Sequence, residues 1–208
     1  MTIKKPEKSN NKELKETEIR IIKSFFPKGK DLTLKEILKR SGLSYEPVYR
    51  TMQELVRKKI VFSRKFGKTL VYNLNFSKDI SKIAFISYSI DKMRKFSDKH
   101  YDIYSAISEI KEETAEIVII FGSYAKGTER KDSDIDLLCV SSEVEKLKSD
   151  IYALKRSHNK EFAALIIPKT EFAKIKKENK EFWNDLICYG IIFRGYESFY
   201  HYAYLEEK

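Results

Sequence analysis

The segment from Ile117 to Val140 constrains the fold of this chain more than any other part of its sequence. An apolar, largely β-branched run at 117–121 ends at Gly122, and a polar stretch then leads to a second apolar run. The pattern predicts a buried strand, a loop with a helical turn, and a second buried strand. Because side chains alternate between the two faces of a strand, Asp134 and Asp136 are expected on one face and the apolar residues between and after them on the other.

The residue types in this segment favour a site that binds a metal ion and a phosphate. Two neighbouring carboxylates repel each other, and a hard divalent cation such as Mg²⁺ relieves the repulsion. Gly122 lets the backbone approach a ligand closely, and the Ser123 hydroxyl and the amides after it offer hydrogen-bond donors to a phosphate. Either dipeptide alone is more often a turn or a helix cap, since Asp and Ser are favoured there. Their combination between two apolar strands favours the functional interpretation.

The stretch from Phe121 to Leu137, FGSYAKGTERKDSDIDL, resembles the DNA polymerase β-like nucleotidyltransferase superfamily, in particular its minimal nucleotidyltransferases. Their pattern is a strand, then GS, then about ten residues, then DxD. The resemblance implies a small mixed sheet flanked by helices, Mg²⁺ or Mn²⁺ as cofactor, and ATP or another nucleoside triphosphate as substrate. It also implies transfer of a nucleoside monophosphate to a hydroxyl of a protein or small molecule, and allows a paired partner protein as the acceptor.

The resemblance assigns roles to single residues of this chain. Asp134 and Asp136 take the catalytic and metal-binding positions, and Gly122 and Ser123 the nucleotide-binding ones. Lys126 stands where the family often has a basic residue that neutralises phosphate. It fits a solvated loop lysine equally well.

The third carboxylate of the family is where this sequence departs from the pattern. These enzymes usually supply it from the next strand, as a metal ligand or as a base. The apolar run at 162–167 contains no acid, and Glu161 at its start is the nearest candidate. Glu161 therefore completes the predicted catalytic and metal-binding set.

The positive charge of the chain is concentrated near its N-terminus. Residues 1–75 hold 19 lysines and arginines against 8 aspartates and glutamates, whereas residues 76–208 hold 22 against 23. This asymmetry predicts a separate N-terminal module that faces a polyanion, with nucleic acid as the first candidate.

Residues 16–75 show three amphipathic helical patterns followed by a hairpin that turns at 66–68. Thr33 and Glu36 have the spacing of a capping box, and Ser44 can cap the third helix. Three helices and a basic hairpin resemble the winged helix-turn-helix family, which implies a third helix in the major groove of double-stranded DNA and a hairpin on the backbone. The predicted DNA-binding residues are Tyr45, Tyr49, Arg50, Gln53, Arg57, Arg64, Lys65 and Lys68. A protein-contact role for this module is the alternative, and the basic excess favours DNA.

The predicted organisation has four parts, and the fold class is α/β (α+β). A disordered basic arm at 1–15 precedes the winged helix-turn-helix domain at 16–75, a helical connector at 76–113 and a nucleotidyltransferase domain at 114–208. Within the last part, a single long helix is expected at 170–188.

Two apolar features leave the oligomeric state open. In the connector, residues at helical spacing can line a homodimer seam or pack on the next domain, and packing is the expected role. These residues are Ile83, Ile86, Ile90 and Met93. The aromatic tail at 196–204 is expected either to dock on the chain or to contact a second subunit.

Composition indicates a cytoplasmic protein. The chain has no run of about 18 uncharged apolar residues and no apolar signal-peptide region after its lysine-rich start, so we expect no membrane segment. The two cysteines, Cys139 and Cys188, form no metal or disulfide motif and are expected to be buried as small apolar residues.

An alternative function follows from the missing acid of the third strand. The chain would then be a DNA-binding transcriptional regulator whose nucleotidyltransferase-like domain only senses a nucleotide or mediates dimerisation.

Overall fold

The computed structural model describes residues 16–205, which form helices packed on two separate sheets. The helices are α1 (Glu16–Lys23), α2 (Leu34–Ser41), α3 (Tyr45–Arg57), α4 (Asp79–Lys99), α5 (Tyr101–Ser108), α6 (Gly122–Lys126), α7 (Val144–His158), α8 (Lys169–Glu178), α9 (Lys180–Tyr189) and α10 (Tyr196–Tyr200), followed by a π-helical turn (His201–Leu205). The strands are β1 (Leu32–Thr33), β2 (Val61–Phe66), β3 (Thr69–Leu74), β4 (Ile117–Ile120), β5 (Ile135–Val140), β6 (Phe162–Ile167) and β7 (Ile191–Arg194). The predicted mixed α/β class is confirmed.

The first sheet is antiparallel, has the order β1-β3-β2 and packs with α1, α2 and α3. The predicted capping box is present, since the Thr33 N–H donates to Glu36 Oε2 at 2.8 Å and the Glu36 N–H donates to Thr33 Oγ1 at 3.3 Å. Ser44 precedes α3, but its side chain makes no capping hydrogen bond. The hairpin turn was predicted at 66–68, but β2 and β3 pair as far as Phe66 and Thr69. The strands are therefore longer than predicted, and the turn is shorter. The two-residue strand β1 was not predicted.

The second sheet is mixed, with the order β6-β5-β4-β7. Strand β4 is antiparallel to β5 and to β7, and α7 connects β5 to its parallel neighbour β6. Both faces of the two central strands are covered: Ile119 and Leu138 lie in one apolar cluster, and Val118 and Leu137 in the other. This double coverage explains why β4 reads as an uninterrupted apolar run.

The single long helix predicted at 170–188 is wrong, because the chain breaks at Asn179 into α8 and α9. The Asn179 side chain accepts a hydrogen bond from the Phe182 N–H at 3.1 Å and so caps the second helix. The six residues around the break, 176–181, are all polar, and Asn179 among them is a favoured cap residue, so the sequence carried a signal for two helices that the prediction did not use.

Helix α4 packs against α1, α5, α10 and β7, but not through the predicted stripe alone. Its buried apolar residues are Ala84, Phe85 and Phe96, whereas Ile83 is 42% exposed. Ile86, Ile90 and Met93 are half-buried. Ile86 and Met93 pack against the two apolar clusters, so the expected packing role is confirmed for part of the stripe. The helical period alone did not identify the fully buried residues, because α4 has neighbours on several sides.

The aromatic tail docks on the chain itself. Phe199 and Tyr200 are buried, the Tyr200 hydroxyl donates to the Phe76 carbonyl at 2.6 Å, and the Tyr204 hydroxyl donates to the Pro27 carbonyl at 2.7 Å. One continuous apolar cluster contains residues of α1, the first sheet, α4, the second sheet and the tail. The described residues therefore share a core across both sheets.

The disordered arm predicted at 1–15 lies outside the described residues. Within residues 16–205, no helix combines the length and the apolarity needed to cross a membrane.

The two cysteines should differ sharply in reactivity. Cys139 is fully buried in β5, and burial raises the pKa of its thiol to about 12, so the reactive thiolate is absent at neutral pH. Cys188 is half-buried in α9. Iodoacetamide should modify Cys188 in the native protein and Cys139 only in denaturant, as mass spectrometry of tryptic peptides will show. Equal labelling of both cysteines without denaturant would contradict the placement of Cys139.

Candidate active site

The GS and DxD segments meet at one end of the β4–β5 pair. The pairing continues past the end of β4, where the Phe121 N–H donates to the Asp136 carbonyl at 3.0 Å. The chain then turns directly into α6, which begins at Gly122. The antiparallel register thus places the start of α6 beside the second aspartate, as the sequence pattern implied.

Gly122 is required at this position for two independent reasons. Its φ angle is +67°, a left-handed backbone conformation that residues other than glycine rarely adopt. A Cβ atom built here would also lie 1.9 Å from Oδ2 of Asp136 and 2.7 Å from its Cγ. The absence of a side chain therefore leaves room for the Asp136 carboxylate.

The two aspartates lie on the same face at the start of β5, as alternation predicted. Asp134 is exposed and Asp136 is half-buried, while Ile135 between them is buried in the opposite cluster. Partial burial, followed by the negative charge of Asp134, raises the pKa of Asp136 above its ordinary value. The two carboxylates therefore lie close enough for their charges to repel each other.

This arrangement fits a divalent cation. Asp134 and Asp136 offer hard oxygen ligands of the kind that Mg²⁺ and Mn²⁺ prefer, and their mutual repulsion would be relieved by a bound ion. The space that Gly122 leaves at the Asp136 carboxylate keeps that group unobstructed. Two carboxylates plus substrate phosphates and water are a usual ligand set for Mg²⁺.

Lys126 is held by a second helix rather than standing free. Its Nζ lies 2.6 Å from Oδ2 of Asp185 and 5.5 Å from the centre of the Tyr189 ring, both on α9. The hydrogen bond to Asp185 raises the pKa of Lys126. The lysine is thus charged and near the GS segment, but it is paired with a carboxylate in this structure.

Glu161 lies beside Asp134 in the strand register, since the Ile135 N–H donates to the Glu161 carbonyl at 2.8 Å. Its exposed carboxylate lies 3.7 Å from Lys155 Nζ, and the part of the chain that the structure describes holds no group of three or more acidic, histidine or cysteine side chains suited to a metal. The residue that pairs with Asp136 in the parallel register is Ala163. Since paired residues in a sheet share a face, an alanine occupies the place beside the second aspartate.

Sequence reasoning missed the residues that α9 contributes. Asp185 pairs with Lys126, and Phe182 packs edge-on against Phe121 with ring centres 5.3 Å apart. These contacts bridge about sixty positions of sequence, and no local pattern signals them. The loop residue Glu129 was also missed: it pairs with Lys99 Nζ at 2.6 Å and fixes the loop to the end of α4.

The residues predicted to contact DNA lie on the exposed surface of α3 and the β2–β3 hairpin. Tyr45 and Tyr49 stack with ring centres 5.6 Å apart. Arg50 pairs with Glu46 one turn away, and Arg64 pairs with Asp31. Gln53, Arg57, Lys65 and Lys68 are exposed or partly exposed. The structure therefore brings the set together on the surface of one unit, with two of its arginines already in ion pairs.

Comparison with known proteins finds one family match, over the part of the chain that contains β4, β5 and β6. A family model described as the nucleotidyltransferase domain matches residues 103–189, from α5 to the end of α9. A search of curated proteins and a search of solved structures found no match. The matched range contains the GS segment, both aspartates and Asp185, and leaves out residues 16–75. Residues 103–189 of this chain therefore match the nucleotidyltransferase domain of the DNA polymerase β-like type.

Proposed function

We propose that this chain transfers a nucleoside monophosphate, with ATP as the expected donor, to a hydroxyl group of a protein or small molecule. The observation that carries the proposal is the pair Asp134 and Asp136 on one face at the start of β5, beside a glycine whose missing side chain leaves room for the second carboxylate. The family match over residues 103–189 supports nucleotidyl transfer as the class of reaction.

Each group of the site has a task in this reaction. Asp134 and Asp136 would hold Mg²⁺ or Mn²⁺, which supplies charge neutralisation for the triphosphate when bound. Gly122 allows the backbone to approach the phosphates, and the Ser123 hydroxyl and the first amides of α6 donate to phosphate oxygens. Lys126 adds a positive charge once it leaves Asp185. Together these groups orient the triphosphate so that the acceptor hydroxyl attacks the α-phosphorus, displaces pyrophosphate and loses its proton to solvent.

The test is incubation with α-labelled ATP and Mg²⁺, with and without host lysate. Wild-type protein should place label on an acceptor, and the Asp134→Asn/Asp136→Asn variant should not, because its amides cannot supply the two negative charges. Label transfer by the variant at the wild-type level would refute the proposal. A melting curve of the variant without Mg²⁺ shows that it is folded.

Releasing Lys126 from Asp185 should strengthen ATP binding. The Asp185→Asn variant should lower the KM for ATP by about two- to fivefold, the range expected for freeing one exposed charge pair. Glu178→Gln is the matched control, since Glu178 is an exposed acid on the neighbouring helix α8 without an ion-pair partner among the described residues. Steady-state KM values decide the matter, and equal values for both variants would refute the role given to Asp185.

We infer that residues 16–75 form a winged helix-turn-helix unit that binds double-stranded DNA. Three helices, a short strand and a hairpin follow one another in the order α1, β1, α2, α3, β2, β3, and the candidate DNA-contacting residues lie on the surface of α3 and the hairpin. The basic excess of the first 75 residues supports this partner. The unit would place the transferase on DNA or at its own promoter.

A second candidate function is a DNA-binding transcriptional regulator that only senses a nucleotide. The observation that favours it is Ala163, which has no carboxylate, beside Asp136 in the strand register. ATP affinity that depends on Mg²⁺, with no label transfer to any acceptor, would support the regulator and exclude the transferase.

The acceptor in the transferase proposal is either a small molecule or a protein, including a dedicated partner protein. Stoichiometric co-purification of one protein from the host, followed by its labelling in the same assay, would identify a protein acceptor. Label confined to small molecules would exclude it.

A further inference from the structure

A basic cavity lies between the N-terminal helices and α4, away from both sites described above. It has a volume of about 640 Å³ and is walled by residues of α1, α2, α4 and the segment after α1. No residue of α3, of the β2–β3 hairpin or of the GS and DxD segments lines it. Its volume falls within the range of roughly 300–1,000 Å³ that is typical of small-molecule sites.

Positive charge dominates the wall of this cavity. Among the described residues, five cationic side chains line it against one acid, Asp91. The five are Arg20, Lys23, Arg40, Lys92 and Lys95. An excess of cations facing one concave space attracts anions and raises their local concentration.

Several of these cations are fixed by the protein, so the cavity is organised in advance. The Arg20 Nε donates to the Ser41 carbonyl at 2.7 Å, and Arg40 Nη1 donates to the Ser24 carbonyl at 3.2 Å. These two bonds cross-link the ends of α1 and α2. Each guanidinium has five N–H donors, and one of them is engaged in these contacts, so both retain donors for an anion.

The remaining cations differ in what they can offer. Lys23 pairs with Asp91, and Lys92 donates to the carbonyls of Cys188, Tyr189 and Gly190 at 3.3, 2.7 and 2.9 Å. Within residues 16–205, Lys95 makes no ion pair or hydrogen bond and is exposed at the rim. Arg20, Arg40 and Lys95 are therefore the three groups with capacity for a bound phosphate.

The apolar part of the wall is aromatic. Phe26 and Tyr88 both line the cavity, with ring centres 5.7 Å apart. Phe26 is only 3% exposed, so the half-buried Tyr88 offers the accessible ring. Aromatic faces bind planar or apolar groups, and cations beside them bind charged groups.

We propose that this cavity binds a phosphorylated small molecule of nucleotide size, with its phosphates on Arg20, Arg40 and Lys95 and its remaining part against Tyr88. A ligand in this position would join the N-terminal helices to α4. It would also lie beside Lys92, which holds the end of α9, the helix that carries Asp185. A small molecule bound at this site would therefore contact residues of the N-terminal helices and of α4 at the same time.

The test separates this cavity from the active site. Calorimetric titrations are made in EDTA on the Asp134→Asn/Asp136→Asn background, with AMP, inorganic pyrophosphate and uncharged adenosine as probes. AMP or pyrophosphate should bind with a Kd below about 1 mM. Adenosine should bind at least about tenfold more weakly, because it lacks the charge-assisted hydrogen bonds. Tighter AMP would indicate a nucleotide, and tighter pyrophosphate an inorganic phosphate ligand.

The decisive variant is Lys95→Glu, which reverses one charge without removing an ion pair or hydrogen bond among the described residues. It should weaken binding of the phosphorylated probe at least about tenfold, with a melting temperature close to that of its parent. Lys39→Glu, an exposed change on α2 outside the cavity, should alter binding less than about twofold because solvent screens it.

Three results would overturn the proposal: no binding of either phosphorylated probe, equal effects of Lys95→Glu and Lys39→Glu, or adenosine binding as tightly as AMP. Because the background lacks both aspartates and no transfer is measured, failure here is independent of failure of the transferase proposal.

Discussion

Replacing Gly122 by alanine should reduce nucleotidyl transfer by at least about 100-fold, because displacing a reacting group by about 1 Å already costs that much. The new Cβ would lie 1.9 Å from Oδ2 of Asp136, so the carboxylate or the start of α6 must move. Either movement disturbs the pair that is proposed to hold the metal ion.

Gly127 provides a matched control for this change. It also has a left-handed φ angle, +69°, at the other end of α6, but a Cβ there meets no atom within 4 Å. Gly127→Ala should therefore bear only the backbone cost of about 1 kcal/mol. This cost corresponds to a fall in melting temperature of about 2–4 °C for a chain of this size.

Label transfer and melting temperature should be measured side by side for both glycine variants. Gly122→Ala should lose transfer beyond what its stability loss explains, whereas Gly127→Ala should retain most of it. Comparable transfer by the two variants would show that the close approach of Gly122 and Asp136 is unimportant to the reaction.

The second large effect is expected in DNA binding. The Arg57→Ala/Lys65→Ala variant should bind duplex DNA about 10- to 100-fold more weakly at low salt, since each phosphate that is no longer neutralised keeps its counterions. The slope of log affinity against log salt should become shallower by about 0.9 for each such phosphate. The two residues lie at the surface, on α3 and on the hairpin.

Fluorescence anisotropy with a 30-base-pair duplex from the DNA upstream of the coding sequence, at several salt concentrations, measures both quantities. Lys148→Ala/Lys177→Ala is the control, because it removes the same charge from exposed positions of α7 and α8. A control that weakens binding equally would indicate a diffuse effect of net charge. It would exclude α3 and the hairpin as the DNA-contacting surface.

Local sequence signals predicted much of the fold. The apolar runs at 117–121 and 135–140 became the central strands β4 and β5, and the Thr33 and Glu36 capping box formed as its spacing indicated. These features depend on residues within one turn or one strand. Side-chain alternation and local hydrogen bonding produce these features, and both depend on residues that are close together in the sequence.

The contacts that shape the site are not local, and the sequence did not reveal them. The partner of Lys126 is Asp185, 59 positions later, on a helix whose start is set by Asn179. Likewise, only the β5–β6 register shows that Ala163, rather than Glu161, lies beside Asp136. The residue at the place of the missing acid was therefore visible only once the strands were paired.

The docked aromatic tail has a consequence for how the chain can be divided. Tyr200 and Tyr204 donate hydrogen bonds to the Phe76 and Pro27 carbonyls. The tail at 196–204 therefore completes the packing around α1 and the first sheet. A cut near residue 75 would expose apolar surface on both fragments. The chain should accordingly melt in a single cooperative transition. The candidate active site should also keep a fixed orientation relative to the surface formed by α3 and the hairpin.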